Sequence, residues 1–230
     1  MKKTTLRRVT KRSAESIVTD HLRSYILSGA VKPGTRLTEI ALAEHMGVAR
    51  ATLRTGLHRL TTEGIVTQMP YIGWQVAELT EHDVWELWTL RGALEGMAAR
   101  LVAQNMTPES RAQIEQAADA LRHACEHGSI HQANECDFAL HRTLIDTAGH
   151  TRLANQYRLV EQQILLYIAS SNALAGEDLN QIMAQHEPLI QALLDADPQR
   201  AAQEALWHNE TEGKKLEGWL RDHAAAEHSN

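Results

Sequence analysis

The stretch Thr38-Glu39-Ile40-Ala41-Leu42-Ala43-Glu44-His45-Met46-Gly47-Val48-Ala49-Arg50-Ala51-Thr52-Leu53-Arg54 decides how the first third of this chain is read. Thr38 is a residue type that caps helix N-termini, and Ile40, Leu42 and Ala43 give a short helix over 39–46 its apolar face. Gly47 ends that helix, because glycine enters the left-handed turn that side chains resist. A second helix follows over 49–63, with Leu53, Leu57 and Leu60 inward and Gly64 closing it. Two helices joined by a short glycine-containing turn form the helix-turn-helix pattern.

Working outward, Ile17, Val18, Leu22, Tyr25 and Ile26 recur at helical spacing over 14–28, and Gly29 stops them. Lys32-Pro33-Gly34 is a turn. Beyond the pair, Ile65-Val66-Thr67-Gln68 and Trp74-Gln75-Val76-Ala77 read as two strands of a hairpin about Met69–Gly73. Three helices and a two-stranded wing make residues 14–78 a winged helix-turn-helix. Residues 1–13 are a flexible basic tail, with Lys2, Lys3, Arg7, Arg8, Lys11 and Arg12 and no acid. The outer face of the third helix offers Arg50, Thr52, Arg54 and Arg59. Arginine pairs with guanine edges or phosphates, and a helix of this width fits the major groove.

Charge divides the chain in the same place. Residues 1–77 hold 12 Lys and Arg against 5 Asp and Glu, a net of +7; residues 78–230 hold 11 against 24, a net of −13. A basic first third suits a polyanion, and the acidic remainder needs another partner. With 43% apolar and 23% charged residues among 230, a globular chain of one large or two modest domains is expected. No apolar run reaches membrane-spanning length and none follows the basic start, which points to the cytoplasm and away from membrane and secretory classes. Cys125 and Cys136 are then free thiols.

From Thr80 onward helices are expected and no strand. They fall at about 80–104, 108–127 behind Thr107-Pro108, 130–147, 152–171, 179–194 and 199–223, with a loop at 175–178. About six helices over 79–230 pack naturally as an antiparallel bundle, so the fold class is mainly α. Asp137 and His141 lie four apart on a row that continues into Leu144 and Ala148. A carboxylate and an imidazole on a core-facing stripe need partners or a cation. His186 sits among Ile182, Met183, Leu189 and Ile190, so it points inward; His208 follows Ala201 and Ala205 but precedes Glu212 and Lys215. One carboxylate and three imidazoles suit zinc, nickel, manganese or iron(II). Arg91 shares a face with Leu87 and Leu94. There its guanidinium either holds a ligand carboxylate or pairs with Glu95 on the surface. Gln156, Gln163, Tyr167 and Ser170 form one row that either lines a cavity or faces water.

The motif Pro33-Gly34-Thr35-Arg36-Leu37-Thr38-Glu39, with Leu42-Ala43-Glu44-His45-Met46-Gly47-Val48-Ala49-Arg50, Leu53-Arg54 and Glu63-Gly64-Ile65-Val66, resembles the DNA-binding domain of the GntR family of bacterial regulators. The resemblance implies that Arg50, Thr52, Arg54 and the wing glycine Gly73 contact operator DNA. Ala49 stands where the family usually has Ser or Thr, and Thr55-Gly56 replaces Glu-Ala. The rest, through Leu90-Arg91, Leu94-Glu95, Asp137-x-x-x-His141, His186 and His208, resembles the FadR subgroup. That implies a divalent metal, zinc first, on Asp137, His141, His186 and His208.

Together these readings describe a homodimeric regulator of near-palindromic operator DNA, a repressor by its resemblance. A small carboxylate metabolite would control it, bound at the metal with Arg91, Gln163 and Tyr167. Two alternatives are a sensor for which the cation itself is the signal and a metal-dependent hydrolase carrying a DNA-binding appendage. The hydrolase lacks a second acid–base carboxylate beside the ligands, so no catalytic residue is assigned. A metal-free cluster of structural histidines is the third.

Overall fold

The computed structural model describes residues 13–172 and 178–227. The basic tail therefore lies outside the described residues, apart from Ser13, and so does most of the loop read at 175–178. Two compact units divide between Ala77 and Glu78.

The N-terminal unit runs α1 (Ala14–Tyr25), a π-helical turn (Ile26–Ala30), β1 (Arg36–Leu37), α2 (Glu39–Met46), α3 (Arg50–Thr62), β2 (Val66–Met69) and β3 (Gly73–Val76). Ser13 caps α1 by accepting from the Ser16 amide at 3.1 Å. Leu53, Leu57 and Leu60 of α3 are fully buried. Gly56 explains itself here: a Cβ at that position would lie 3.3 Å from both Val18 Cγ1 and Thr19 Oγ1, so the missing methyl lets α1 and α3 approach. Arg23 ties the same helices together, donating from Nε and Nη2 to the Glu63 carboxylate at 2.7 Å each.

The wing has three strands where the sequence pattern indicates two. Its order is β1-β3-β2, all antiparallel, with Leu37 opposite Trp74 and Val66 opposite Val76. Two residues are too few to carry an alternation, so Arg36-Leu37 reads as part of the turn before it. Likewise helix α1 gives way to π geometry after Tyr25, where apolar spacing alone suggested that it continued to Ser28.

All regular structure among the described residues of the C-terminal unit is helical: α4 (Glu81–Gln104), α5 (Pro108–His127), α6 (Ile130–Thr147), α7 (Thr151–Asn172), α8 (Asn180–Leu194) and α9 (Pro198–Glu227). Thr80, Thr107 and Ser129 each cap the next helix in a reciprocal box with Asp83, Ser110 and Gln132. Pro188 sits inside α8. Helices α4 and α9 pack closely because glycines face the contact. A Cβ on Gly96 would lie 3.3 Å from Leu206, and one on Gly213 would lie 2.2 Å from the Trp88 ring. One apolar cluster joins Val84, Ala98, Ile114, Leu144, Ile164 and Ala205 across the bundle. No helix among the described residues is long and apolar enough to cross a membrane.

Candidate functional site

The outer face of α3 keeps its arginines in solvent. Arg50 and Arg54 side chains are 60% and 52% exposed, and Glu39 of α2 faces both. Arg54 donates to the Glu39 carboxylate through Nε at 3.0 Å and Nη2 at 2.7 Å, while Arg50 Nη2 stands 3.8 Å away. The buried Trp74 of β3 donates its indole N–H to the same carboxylate at 2.8 Å. Glu39 thus links an exposed arginine of α3 to the buried indole of the wing. The Arg54 and Trp74 bonds pull its carboxyl from an ordinary 4.5 to about 2. Thr52 is half-buried on α3. Gly73 takes φ +105°, a conformation side chains rarely adopt, with open space where a Cβ would stand. Tyr71 at the wing tip is fully exposed, also with positive φ. Ala49 begins α3 with no side-chain cap, as its sequence predicts.

The second site is sealed. Asp137 and His141 of α6, His186 of α8 and His208 of α9 are all at least 96% buried. Ligand atoms of the three histidines lie within 4.8 Å of one another. His141 Nε2 is 3.1 Å from His186 Nε2, and Asp137 Oδ1 is 3.3 Å from the first and 3.4 Å from the second. Donors on a tetrahedral zinc at ~2.0–2.1 Å stand about 3.3 Å apart, so these spacings fit one ion. Burial and the repulsion of His186 and His141 keep His208 neutral by lowering its pKa well below the ordinary range.

The outward nitrogens explain the orientation. His186 Nδ1 faces the Ile182 carbonyl at 2.7 Å and His208 Nδ1 faces the Gln185 carbonyl at 3.3 Å. His141 Nδ1 is 3.0 Å from Glu95 Oε2, poorly aligned for a hydrogen bond. Protons assigned to these nitrogens leave three Nε2 lone pairs aimed inward. Asp137 Oδ2 accepts from Asn172 at 2.9 Å, while Oδ1 has no hydrogen-bond partner among the described residues. Lone pairs that converge without donors demand a positive charge between them.

Glu95 is the residue that sequence reasoning undervalued. Arg91 pairs with it at 3.2 Å, four residues apart as the spacing allows, but in the core and not on the surface. Tyr157 donates to Glu95 Oε1 at 3.0 Å and Asn209 to Oε2 at 2.7 Å. Burial is the largest influence on both Arg91 and Glu95 and works against their charges, yet their mutual attraction prevails together with His141 and Asn209 at Glu95 and with Tyr157, Tyr167 and Asp137 at Arg91, lowering the Glu95 pKa and raising that of Arg91. Burial is the largest influence on His141 and works against its charge, but Glu95 and Asp137 together prevail and lift that imidazole to about 9. Among the described residues, buried carboxylates at Glu95, Asp137 and Glu212 share the core with one buried guanidinium, that of Arg91.

Arg91, Tyr167, Ser171 and Glu212 line a cavity of about 10 Å³ beside Asp137, His186 and His208. That is room for about one water. Arg91 Cζ lies 5.1 Å over the Tyr167 ring. Gln163 is half-buried one turn from Tyr167 and does not line this cavity, and Gln156 is exposed. Ser171, rather than Ser170, continues the inward row.

Comparison with known proteins agrees with this architecture. Residues 14–76 match the model of bacterial regulatory proteins of the gntR family, and residues 86–211 match the FCD domain. A probable D-xylose utilization operon transcriptional repressor of Paenarthrobacter nicotinovorans is 26% identical over 89% of each chain. The HTH-type transcriptional regulator Rv0494 of Mycobacterium tuberculosis is 30% identical over 77% of this chain and 78% of its own. The solved structure of E. coli McbR/YncC superposes with a TM-score of 0.73 at 21% identity, covering 90% of this chain and 98% of that one. A winged helix-turn-helix joined to an FCD domain defines a class of transcriptional regulator. This chain belongs to the gntR family, in its FadR-like subgroup.

Proposed function

We propose that this regulator acts as a repressor controlled through its sealed site. One divalent metal would be held by Asp137, His141, His186 and His208, with zinc fitting the donor set best. A small carboxylate metabolite would enter beside it. The metal would supply an electrophilic point for a ligand oxygen, and Arg91 would hold a second part of the acid through its free Nη2. Tyr167 would close the other side of the guanidinium. The operator would be a near-palindromic duplex read by Arg50, Thr52 and Arg54 of α3 in a two-fold dimer, with the backbone at Gly73 against phosphate. Work on chromosomal DNA belongs in the cytoplasm.

The observation that carries this reading is the convergence of Asp137 Oδ1 with the Nε2 atoms of His141 and His186, none of which meets a donor among the described residues if the tautomers follow the outer hydrogen bonds. An effector shifts DNA affinity only by binding one arrangement of the regulator better than another. Asp137→Ala combined with His186→Ala is therefore expected to abolish metal uptake and effector response while operator binding persists. An unchanged response to effector removes the site from the mechanism.

The elevated pKa of His141 favours one rival. A proton there is the other cation able to quiet the cluster, making it a metal-free hydrogen-bonded core. Zinc titration in weak buffer separates the two: uptake with proton release supports the metal, and no uptake supports the proton.

A further inference from the structure

Resting on the two-fold dimer proposed above, we infer that the outer face of α4 is where the C-terminal unit pairs with a second copy of itself, the two α4 helices running antiparallel and crossing at Ala93. Helix α4 is apolar on two sides. Val84, Leu87, Ala98 and Val102 are buried in the bundle, while Leu90 and Met97 are 42% and 48% exposed and Ala93 lies exposed between them. A helix that is apolar all round is one that is covered all round, and the bundle covers only the inner side of this one. Leu206 of α9 widens the outer face. Its Cδ2 and Cγ lie 3.4 and 3.3 Å from where Cβ atoms on Gly92 and Gly96 would stand, and it stays 44% exposed.

The order of residues along that face selects its occupant. Glu86, Leu90, Ala93, Met97 and Arg100 follow one another at spacings of four, three, four and three, which is a single stripe of an α-helix. Glu86 and Arg100 lie seven residues to either side of Ala93, about 10 Å along the axis in each direction. The stripe therefore reads acid, apolar, small, apolar, base, and turned end for end it complements itself. A two-fold axis through Ala93, perpendicular to the helix, sets Glu86 of each copy beside Arg100 of the other and Leu90 beside Met97, so every contact is made twice. Ala93, the smallest side chain of the five, falls at the crossing, where the axes come closest. Helices crossing at about 20° shift sideways by only about 4 Å over that distance, within reach of a glutamate and an arginine. Glu86 is 61% exposed beside His82, and Arg100 is exposed as well, so both charges are available. A parallel pair would oppose Glu86 to Glu86 and Arg100 to Arg100, and like charges across an interface disfavour it. An unrelated partner would account for the apolar residues but not for this symmetry.

Sedimentation velocity of the full-length protein over a range of concentrations provides the test, with wild type expected to dimerise. Arg100→Glu sets glutamate against Glu86 at both ends of the interface and should raise the dimer dissociation constant at least about tenfold. Glu86→Arg should do the same. Both positions are exposed, so the fold, checked by circular dichroism, should survive either change. An equimolar mixture of the two weakened variants should recover wild-type association, because the mixed pair again opposes unlike charges at both ends. Ala93→Cys should crosslink to its own copy on mild oxidation, since a residue at the two-fold axis faces itself within disulfide range. Wild-type protein that stays monomeric throughout overturns the dimer reading and this inference with it. A dimer that withstands both charge reversals, or that Ala93→Cys fails to crosslink, leaves the dimer standing and overturns this face alone. Weakening by both variants without recovery on mixing overturns the antiparallel pairing, and so the inference.

Discussion

Each unit carries one arginine–glutamate pair of functional interest, and the two are built oppositely. Arg54–Glu39 stands at the protein surface, with the guanidinium half exposed, and Arg91–Glu95 lies in the core with both partners at or below 2% exposure. Water screens the first, so the pair orders Arg54 without committing it, and a DNA phosphate or base edge can compete for the guanidinium. Nothing screens the second. There the pair is one edge of a network through Tyr157, Asn209 and His141 whose members cannot be removed singly without stranding a charge. The same chemistry therefore poises a side chain at one site and fixes a scaffold at the other.

The sharpest way to break this contrast is to truncate both carboxylates. Glu95→Ala leaves the Arg91 cation buried without its partner and should destabilise the C-terminal unit by about 3–5 kcal/mol, read by urea denaturation. Packing comes next. Gly213→Ala pushes a methyl into the Trp88 ring, and since the ring cannot bend aside the expected loss is about 1–3 kcal/mol, seen as a lower Tm with operator binding intact at permissive temperature. At the DNA face, Arg54→Ala should leave the fold alone and weaken specific operator binding by about 1–3 kcal/mol, measured by fluorescence anisotropy at fixed salt. If specific affinity does not fall, the placement of α3 in the major groove is wrong.

The smallest effect belongs to Glu39→Gln, expected to change stability by no more than about 1 kcal/mol. Its pH dependence has a defined sign. A carboxyl whose folded-state pKa is depressed contributes stability above its ordinary 4.5, and that contribution disappears as pH falls toward about 2. Wild type and Glu39→Gln should therefore converge in stability on acidification through that window, and stay apart above it.

How much of this was legible in the sequence follows from what each feature depends on. Helix ends were legible because Thr80, Thr107 and Ser129 carry local capping chemistry with partners three residues on. His186 was legible because apolar neighbours on its own helix surround it. His208 was less so, since Glu212 on the same row suggested a wet face; Glu212 itself turns out to be buried. Glu95 shows the general reason. Its partners Tyr157 and Asn209 lie 62 and 114 residues away in sequence, so nothing local announces that a charge there can be satisfied in the core. The row on α7 failed at Gln163 for a similar cause: helical spacing gives a row, but only neighbouring helices decide which of its turns meets a cavity.

The central claim, that the sealed cluster is a metal site and not only a hydrogen-bonded core, is tested most directly by metal content. Gently purified protein, or apo protein reloaded and desalted, should hold about one divalent ion per chain. Asp137→Ala combined with His186→Ala should hold none. Wild-type protein that stays metal-free after reloading, with the fold intact by circular dichroism, would contradict the account.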